Sequence, residues 1–355
     1  MACTIVLIHI DLLNLLYTSK SYQRMKNALF ILLPTIFIIC IGCSKKDNNS
    51  PIPPIAGFPY PEGLSTPTIQ VNNQSRKFLV YRPAGLTKPL AVVMVLHGGG
   101  GAGLDVAQPG VHPLSVFRNV ADTARILVVY PEGSPDSQGN PGGNDCRNDD
   151  QSGAQGDDLS FLQQLMTRLS QEMGLTANNM YLTGTSNGAL MTFSYAFNFP
   201  STIKAVAVSS GNLPLNPAPG ACTNGSTIPL PIMLTHGTLD PAMPADGGCV
   251  ANLGGACNRG RVVSQSTTLN YWLQRNNLTN VTPIVTTFNV NANDAGNVEK
   301  RVFNGTHPLV YYVLNDAGHA VPSLTVFSAT TAASGAQNRD IEYATEVWKF
   351  FRGFQ

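Results

Sequence analysis

Six short apolar runs constrain the fold of this chain more than any other feature: Ala91–Leu96, Ile126–Tyr130, Met180–Thr183, Ala205–Ser209, Ile232–Thr235 and Val310–Leu314. None contains a charge, and none alternates with polar residues. That is the pattern of strands buried on both faces, whereas a strand with one wet face alternates. Helical spacing fills the intervals. Asp158–Met173 places Leu159, Leu162, Leu165, Met166, Leu169 and Met173 on one side, with Asp157 positioned to cap its start. Ala189–Phe199 is an apolar helix halted by Pro200, and Val262–Gln274 and Ile341–Phe351 complete the set. Arg76–Arg82 alternates as an outer strand should. Strands interleaved with helices predict an α/β fold: a mostly parallel central sheet with helices on both faces. No internal repeat or linker divides residues 59–355, which are expected to form one domain.

Composition narrows the function. Charged residues make up 12% of the 355, about half the usual quarter, while 43% are hydrophobic, which excludes a disordered or coiled-coil chain. The formal net charge of +1, without a long basic run, argues against a nucleic-acid partner.

Residues 1–42 read as an N-terminal extension and lipoprotein signal peptide. Residues 28–42 carry no charge and follow Lys26, a run too short for a spanning helix of roughly 20 residues but suited to a signal core. A complete signal starting at Met25 makes that residue the expected start, with Met1–Arg24 as an extension. Cys40-Ile41-Gly42-Cys43 resembles a bacterial lipobox, so Cys43 is the expected lipidation site and a membrane the expected partner through that anchor; a cleaved secretory signal is the alternative. Residues 43–58, with Asn48, Asn49, Ser50 and prolines 51, 53 and 54, read as a flexible tether. Discarding Lys20, Arg24, Lys26 and Asp11 moves the formal charge from +1 to −1, so no steering of anionic partners is implied.

Cysteine usage agrees with export. Beyond Cys43 the chain holds Cys146, Cys222, Cys249 and Cys257, an even number without metal-type spacing. Cys249 and Cys257 bracket a short Gly-rich loop and are the preferred disulfide, which leaves Cys146 with Cys222; four cysteines permit three connectivities.

The chemistry gathers at strand ends. Gly184-Thr185-Ser186-Asn187-Gly188 is a G-x-S-x-G sequence between the strand Met180–Thr183 and a helix. A turn this sharp strains the serine backbone and leaves no room for side chains two residues to either side. A nucleophilic serine needs a base and an orienting acid, here in the chain order Ser, Asp, His. Asp240 lies just beyond the run Ile232–Thr235, and His319 just beyond Val310–Leu314. His97, His112, His236 and His307 compete for the base. His112 and His307 lie in loops with no matching strand end, and His236 is expected to satisfy backbone groups at its turn. Leu96-His97-Gly98-Gly99-Gly100-Gly101 follows another strand; the N–H groups of Gly99 (or Gly98) and Asn187 are the candidate oxyanion donors. A phosphate loop is excluded because no Lys-Ser/Thr follows these glycines. The reaction needs no cofactor and no metal.

LHGGGGAGLD, VVYPEG, DDLSFLQQL, YLTGTSNGALMTF, THGTLDPAMPADGG, DAGHAVP and ATEVWKFF occur in the order found in the secreted polyhydroxybutyrate depolymerase-like and feruloyl esterase family of α/β-hydrolases, which this chain resembles over nearly all of residues 75–353. The resemblance implies the α/β-hydrolase fold, Ser186 as nucleophile, Asp240 as acid, His319 as base and oxyanion donors after His97. Where the family often has Tyr or Trp, this chain has Ala242, Met243, Ala245, Ala320 and Val321. The expected activity is a serine carboxylesterase acting on feruloyl or acetyl esters of plant polysaccharide, exported and either lipid-anchored or extracellular. A polyhydroxyalkanoate depolymerase or oligomer hydrolase is the alternative, disfavoured because no separate polymer-binding domain or Thr-rich linker fits. A non-catalytic binding protein is disfavoured by the presence of all three triad residues.

Overall fold

Each apolar run becomes a strand of one large sheet, and its alternate side chains feed two separate cores. The computed structural model describes residues 57–145, 147–151, 153–217, 226–251, 257–294 and 296–355. The expected signal segment with Cys43, nearly all of the expected tether, and Cys146 and Cys222 lie outside the described residues.

In chain order the strands are β1 (Gly63–Ser65), β2 (Thr68–Val71), β3 (Gln74–Arg82), β4 (Val92–Leu96), β5 (Leu127–Pro131), β6 (Met180–Thr185), β7 (Ala205–Ser209), β8 (Ile232–Gly237), β9 (Gly248–Cys249), β10 (Arg261–Val262), β11 (Ile284–Phe288), β12 (Val298–Phe303) and β13 (Leu309–Leu314). The helices are α1 (Gly103–Ala107), α2 (Phe117–Ala124), α3 (Asp158–Met173), α4 (Asn187–Asn198), α5 (Gln265–Arg275) and α6 (Tyr343–Arg352). The main sheet runs β1-β3-β5-β4-β6-β7-β8-β13-β12-β11, with β2 also paired to β3. The six strands from β5 to β13 along this order are mutually parallel, and antiparallel strands flank them on both sides.

The pleat explains why these strands are apolar throughout. Val92, Met94 and Leu96 of β4 enter one core with Phe161 and Leu165 of α3, Phe193 of α4 and Trp272 of α5. Val93 and Val95 enter the other, with Val106 of α1, Phe117 of α2 and Val347 and Phe351 of α6. With successive side chains pointing to opposite faces, a sheet covered on both sides needs an apolar residue at every position.

Local chemistry sets the boundaries. The Asp157 side chain accepts from the Ser160 N–H at the start of α3, and Gly174 ends that helix in a left-handed conformation. The helix expected over 262–274 begins at Gln265 instead. Arg261–Val262 pairs with Gly248–Cys249, and the Ser264 hydroxyl caps the helix by accepting from the Thr267 N–H. A disulfide joins Cys249 and Cys257, whose Cα atoms are 5.1 Å apart. The parallel arrangement brings the carboxyl ends of β4, β6, β7, β8 and β13 to one edge, the place where an open α/β sheet offers a ligand crevice. Among the described residues no helix is long and apolar enough to cross a membrane.

Candidate active site

Ser186 stands between β6 and α4 with φ 55° and ψ −122°, a conformation that costs an L-residue free energy and persists only where its surroundings enforce it. The flanking glycines make the turn possible. A Cβ on Gly184 would lie 2.3 Å from the Gly188 carbonyl oxygen, and one on Gly188 would lie 2.5 Å from that of His97. Ser186 itself donates its N–H to the Ser209 carbonyl of β7 at 3.0 Å, which ties the elbow to the neighbouring strand.

Asp240 and His319 meet across β8 and β13, although 79 residues separate them. His319 Nδ1 lies 2.8 Å from Asp240 Oδ2 and 3.0 Å from Oδ1. The carboxylate is fixed from its other side: Oδ1 accepts the N–H groups of Ala242 (2.8 Å) and Met243 (2.7 Å). Burial opposes the charge on Asp240, but hydrogen bonds from His236 and His319 outweigh it and hold the carboxyl well below the usual carboxylate range. His236 Nε2 sits 2.9 Å from the Met243 carbonyl and 3.3 Å from Asp240 Oδ2, so this histidine fastens the loop that carries Asp240. Ser210 donates its hydroxyl to the His319 carbonyl at 2.8 Å, and the His319 N–H donates to the Ser334 carbonyl, fixing the loop that carries His319.

Ser186 and His319 line two cavities that open to either side of them. One, about 240 Å³, is walled by Gly99, Asn187, Met243 and the charged side chains of Asp136, Arg147, Asp150 and Arg259. The other, about 280 Å³, is walled by Gly98, His112, Val321, Ser328 and their neighbours.

The glycine run after β4 sorts itself by hydrogen bonding. Gly100 donates to the Pro141 carbonyl at 2.8 Å and Gly101 to that of Gly98 at 3.2 Å, whereas the N–H groups of Gly98 and Gly99 meet no backbone acceptor among the described residues. Buried His97 explains the orientation. Its Nε2 accepts the Gly133 N–H at 3.0 Å, so Nδ1 carries the proton and donates to the Gly98 carbonyl at 2.8 Å. In a trans peptide the N–H points opposite to the C=O, so pinning the Gly98 carbonyl aims the Gly99 N–H away from the His97 ring. Asn187 opens α4, where the first N–H groups of a helix lack intrahelical partners and the helix dipole is positive.

Three residues beyond the sequence-based candidates support this geometry. Asn187 donates its side-chain amide to the Gly143 carbonyl at 3.0 Å and to Asp145 Oδ2 at 2.5 Å. Asp145 in turn holds Arg147 through Nε (3.0 Å) and Nη2 (2.7 Å), and Arg147 Nη2 also reaches Asp150 at 3.0 Å. Asp158, on the first turn of α3, binds the loop after β5: it accepts from the Ser134 hydroxyl (2.5 Å) and the N–H groups of Ser134 and Asn144, and pairs with Arg76. An acidic residue on the apolar side of a helix was the available signal for Asp158. For Asp145 and Arg147 the sequence offered none, because the groups this pair holds in place, Asn187 and the Arg259 carbonyl, lie in segments distant along the chain. No cluster of three or more metal-type ligands occurs among the described residues.

A family model described as phospholipase/carboxylesterase matches residues 83–252. The chain is similar to an acetylxylan esterase of Coprinopsis cinerea, 29% identical over 45% of this chain and 43% of the relative. It is also similar to feruloyl esterase C of Emericella nidulans, 25% identical over 61% of this chain and 72% of that one. The chain spans less than half the length of the first curated relatives it matches. Among solved structures, an acetyl xylan esterase from Aspergillus awamori superposes with a TM-score of 0.51 at 15% identity, covering 82% of this chain and all of the other. The parallel sheet, the strained serine between β6 and α4, and this superposition agree: the chain has the α/β-hydrolase fold.

Proposed function

We propose that the protein is a serine carboxylic ester hydrolase with Ser186 as nucleophile, His319 as base and Asp240 as the acid that orients it. The observation that carries this reading is that His319, paired with Asp240, lines the same two cavities at the sheet edge as the strained Ser186. His319 Nε2 takes the Ser186 hydroxyl proton as Oγ attacks the ester carbonyl. The N–H groups of Asn187 and of Gly99 or Gly98 meet the developing oxyanion. His319 then protonates the leaving alcohol and activates the water that releases the acid. Asp240 accepts the Nδ1–H, which keeps Nε2 free to act as base.

The substrate class in this reading is a feruloyl, acetyl or similar ester of plant polysaccharide, a choice supported by the printed names of the relatives. Ser186→Ala should keep its melting temperature and lose on the order of 10³-fold or more in turnover. The purified protein is tested on nitrophenyl acyl esters, methyl ferulate, acetylated xylan and polyhydroxybutyrate film; ordinary esterase activity in folded Ser186→Ala refutes the assignment, and exclusive action on the film refutes the polysaccharide choice. The reading includes export and a lipid anchor on Cys43. Wild type should sediment with membranes and Cys43→Ser should not; a soluble wild type whose mature N-terminus is not Cys43 refutes the anchor.

A further inference from the structure

His112, which the strand-end pattern passes over, lines the second cavity beside Ser186 and His319. It precedes the short turn Pro113–Val116, and its Nδ1 accepts the Leu114 N–H at 3.1 Å. That bond settles the tautomer. A ring nitrogen that accepts cannot carry a proton, so in the neutral imidazole the proton is on Nε2. Nε2, on the opposite side of the ring, has no hydrogen-bond partner among the described residues. Protonation would place a second N–H against that of Leu114. Burial lowers the imidazole to about 4; nearby Asp105 works against this lowering and His97 adds to it. At neutral pH His112 therefore contributes to the cavity wall a single N–H donor without charge.

Capping alone does not require a histidine. Any acceptor there serves the Leu114 N–H, and Asp, Asn or Ser does so most often. What the imidazole adds is the donor on its far side, in a cavity also walled by Ser328 and Val321 that adjoins the reacting serine. A neutral donor suits an uncharged oxygen and gives no advantage to an anion. We infer that His112 is a specificity-determining residue: its Nε2–H donates to an uncharged oxygen (hydroxyl, ether or carbonyl) carried by the half of the ester that occupies this cavity. The inference rests on the esterase reading above and adds the substrate chemistry of one subsite.

Matched esters test it with the full-length protein. The acyl arm compares nitrophenyl butyrate with nitrophenyl 3-hydroxybutyrate, and the alcohol arm compares ethyl butyrate with 2-hydroxyethyl butyrate. Wild type should favour the oxygenated member of one arm by about 10-fold in kcat/KM, the effect of one well-placed hydrogen bond, and that arm identifies the half-ester bound. His112→Phe should bring the ratio near one by raising KM for the oxygenated ester more than for the plain one. His112→Asn, which keeps both a cap acceptor and an N–H donor, should retain part of the preference; His112→Asp keeps the acceptor without the donor and should lose it, a comparison that stands even where His112→Phe does not fold. Equal rates within both arms for wild type, or a preference that survives His112→Phe or His112→Asp, overturns the inference and leaves the esterase reading intact. Failure of wild type to cleave any of the four esters overturns the inference, and the esterase reading falls with it when the nitrophenyl, ferulate, xylan and polyester substrates above also stay intact.

Discussion

Replacing Asp240 by Asn tests the orienting role of the acid, because the structure dictates how the new amide must sit. Oδ1 already accepts two backbone N–H groups, from Ala242 and Met243. The amide oxygen of Asn must take that place, since an NH₂ there would face two donors. The NH₂ then occupies the Oδ2 position, 2.8 Å from His319 Nδ1 and 3.3 Å from His236 Nε2. A proton left on Nδ1 would face that NH₂ at 2.8 Å and keep only the longer contact to the amide oxygen, so the balance shifts to the tautomer protonated on Nε2, the nitrogen that must accept from Ser186. The ring stays in place in the wrong tautomer. Such a substitution costs roughly 10⁴-fold in turnover in a serine triad, about 5.5 kcal/mol at about 1.36 kcal/mol per decade. The stability cost is smaller, about 1–2 kcal/mol, because both backbone hydrogen bonds survive and only the charge-assisted ones are lost. The variant also reports on acid stability. A carboxyl held below its ordinary value stabilises the fold above the unfolded value of about 3.9, and that stability is lost as pH falls through this value towards the folded one. Asp240→Asn lacks this component, so its stability should fall less steeply below pH ~4. Stopped or continuous nitrophenyl ester assays, with thermal melts from pH 3 to 8, measure both effects. A folded Asp240→Asn retaining more than about a tenth of wild-type turnover would refute the tautomer argument.

Two further substitutions probe the scaffold. Gly188→Ala places a methyl 2.5 Å and 2.7 Å from the carbonyl oxygens of His97 and Leu96, backbone atoms that cannot swing aside; a loss of about 3 kcal/mol or more in urea denaturation is expected, and a wild-type midpoint would count against a rigid elbow. Arg147→Ala strands Asp145, whose side chain is 3% exposed, without its guanidinium, with an expected cost of about 3–5 kcal/mol together with reduced kcat as the Asn187 anchor loosens; unchanged stability and kcat would show that the pair is idle.

Individual elements show what was legible in the sequence. The apolar runs and Asp157 with its helix are local signals, and they appear as β4 to β8, β13 and α3 nearly as read. The margins were harder. Strand β11 has the burial pattern of an exposed edge, and only pairing with β12 makes it a strand, so no apolar run announces it. Helix α1, of five residues, is too short to display a periodic stripe, while the one on α2, Phe117, Val120, Ala121 and Ala124, spans only eight residues and went unread. The start of α5 moved because Arg261–Val262 found a partner thirteen residues back.

The same division holds at the site. Ser186, Asp240 and His319 could be chosen from the sequence because each chemical type follows an apolar run, and a parallel sheet puts the carboxyl ends of its strands on one edge. What the tertiary structure decided is everything that depends on who faces whom. The Asp145–Arg147 anchor on Asn187, the tautomer of His97 that aims the Gly99 N–H and the two cavities beside Ser186, one of them walled by His112, bring together atoms far apart in the chain. Periodicity and spacing encode burial and local turns, which act over a few residues. Hydrogen-bond partners and cavity walls are set by chain crossings that no local pattern records.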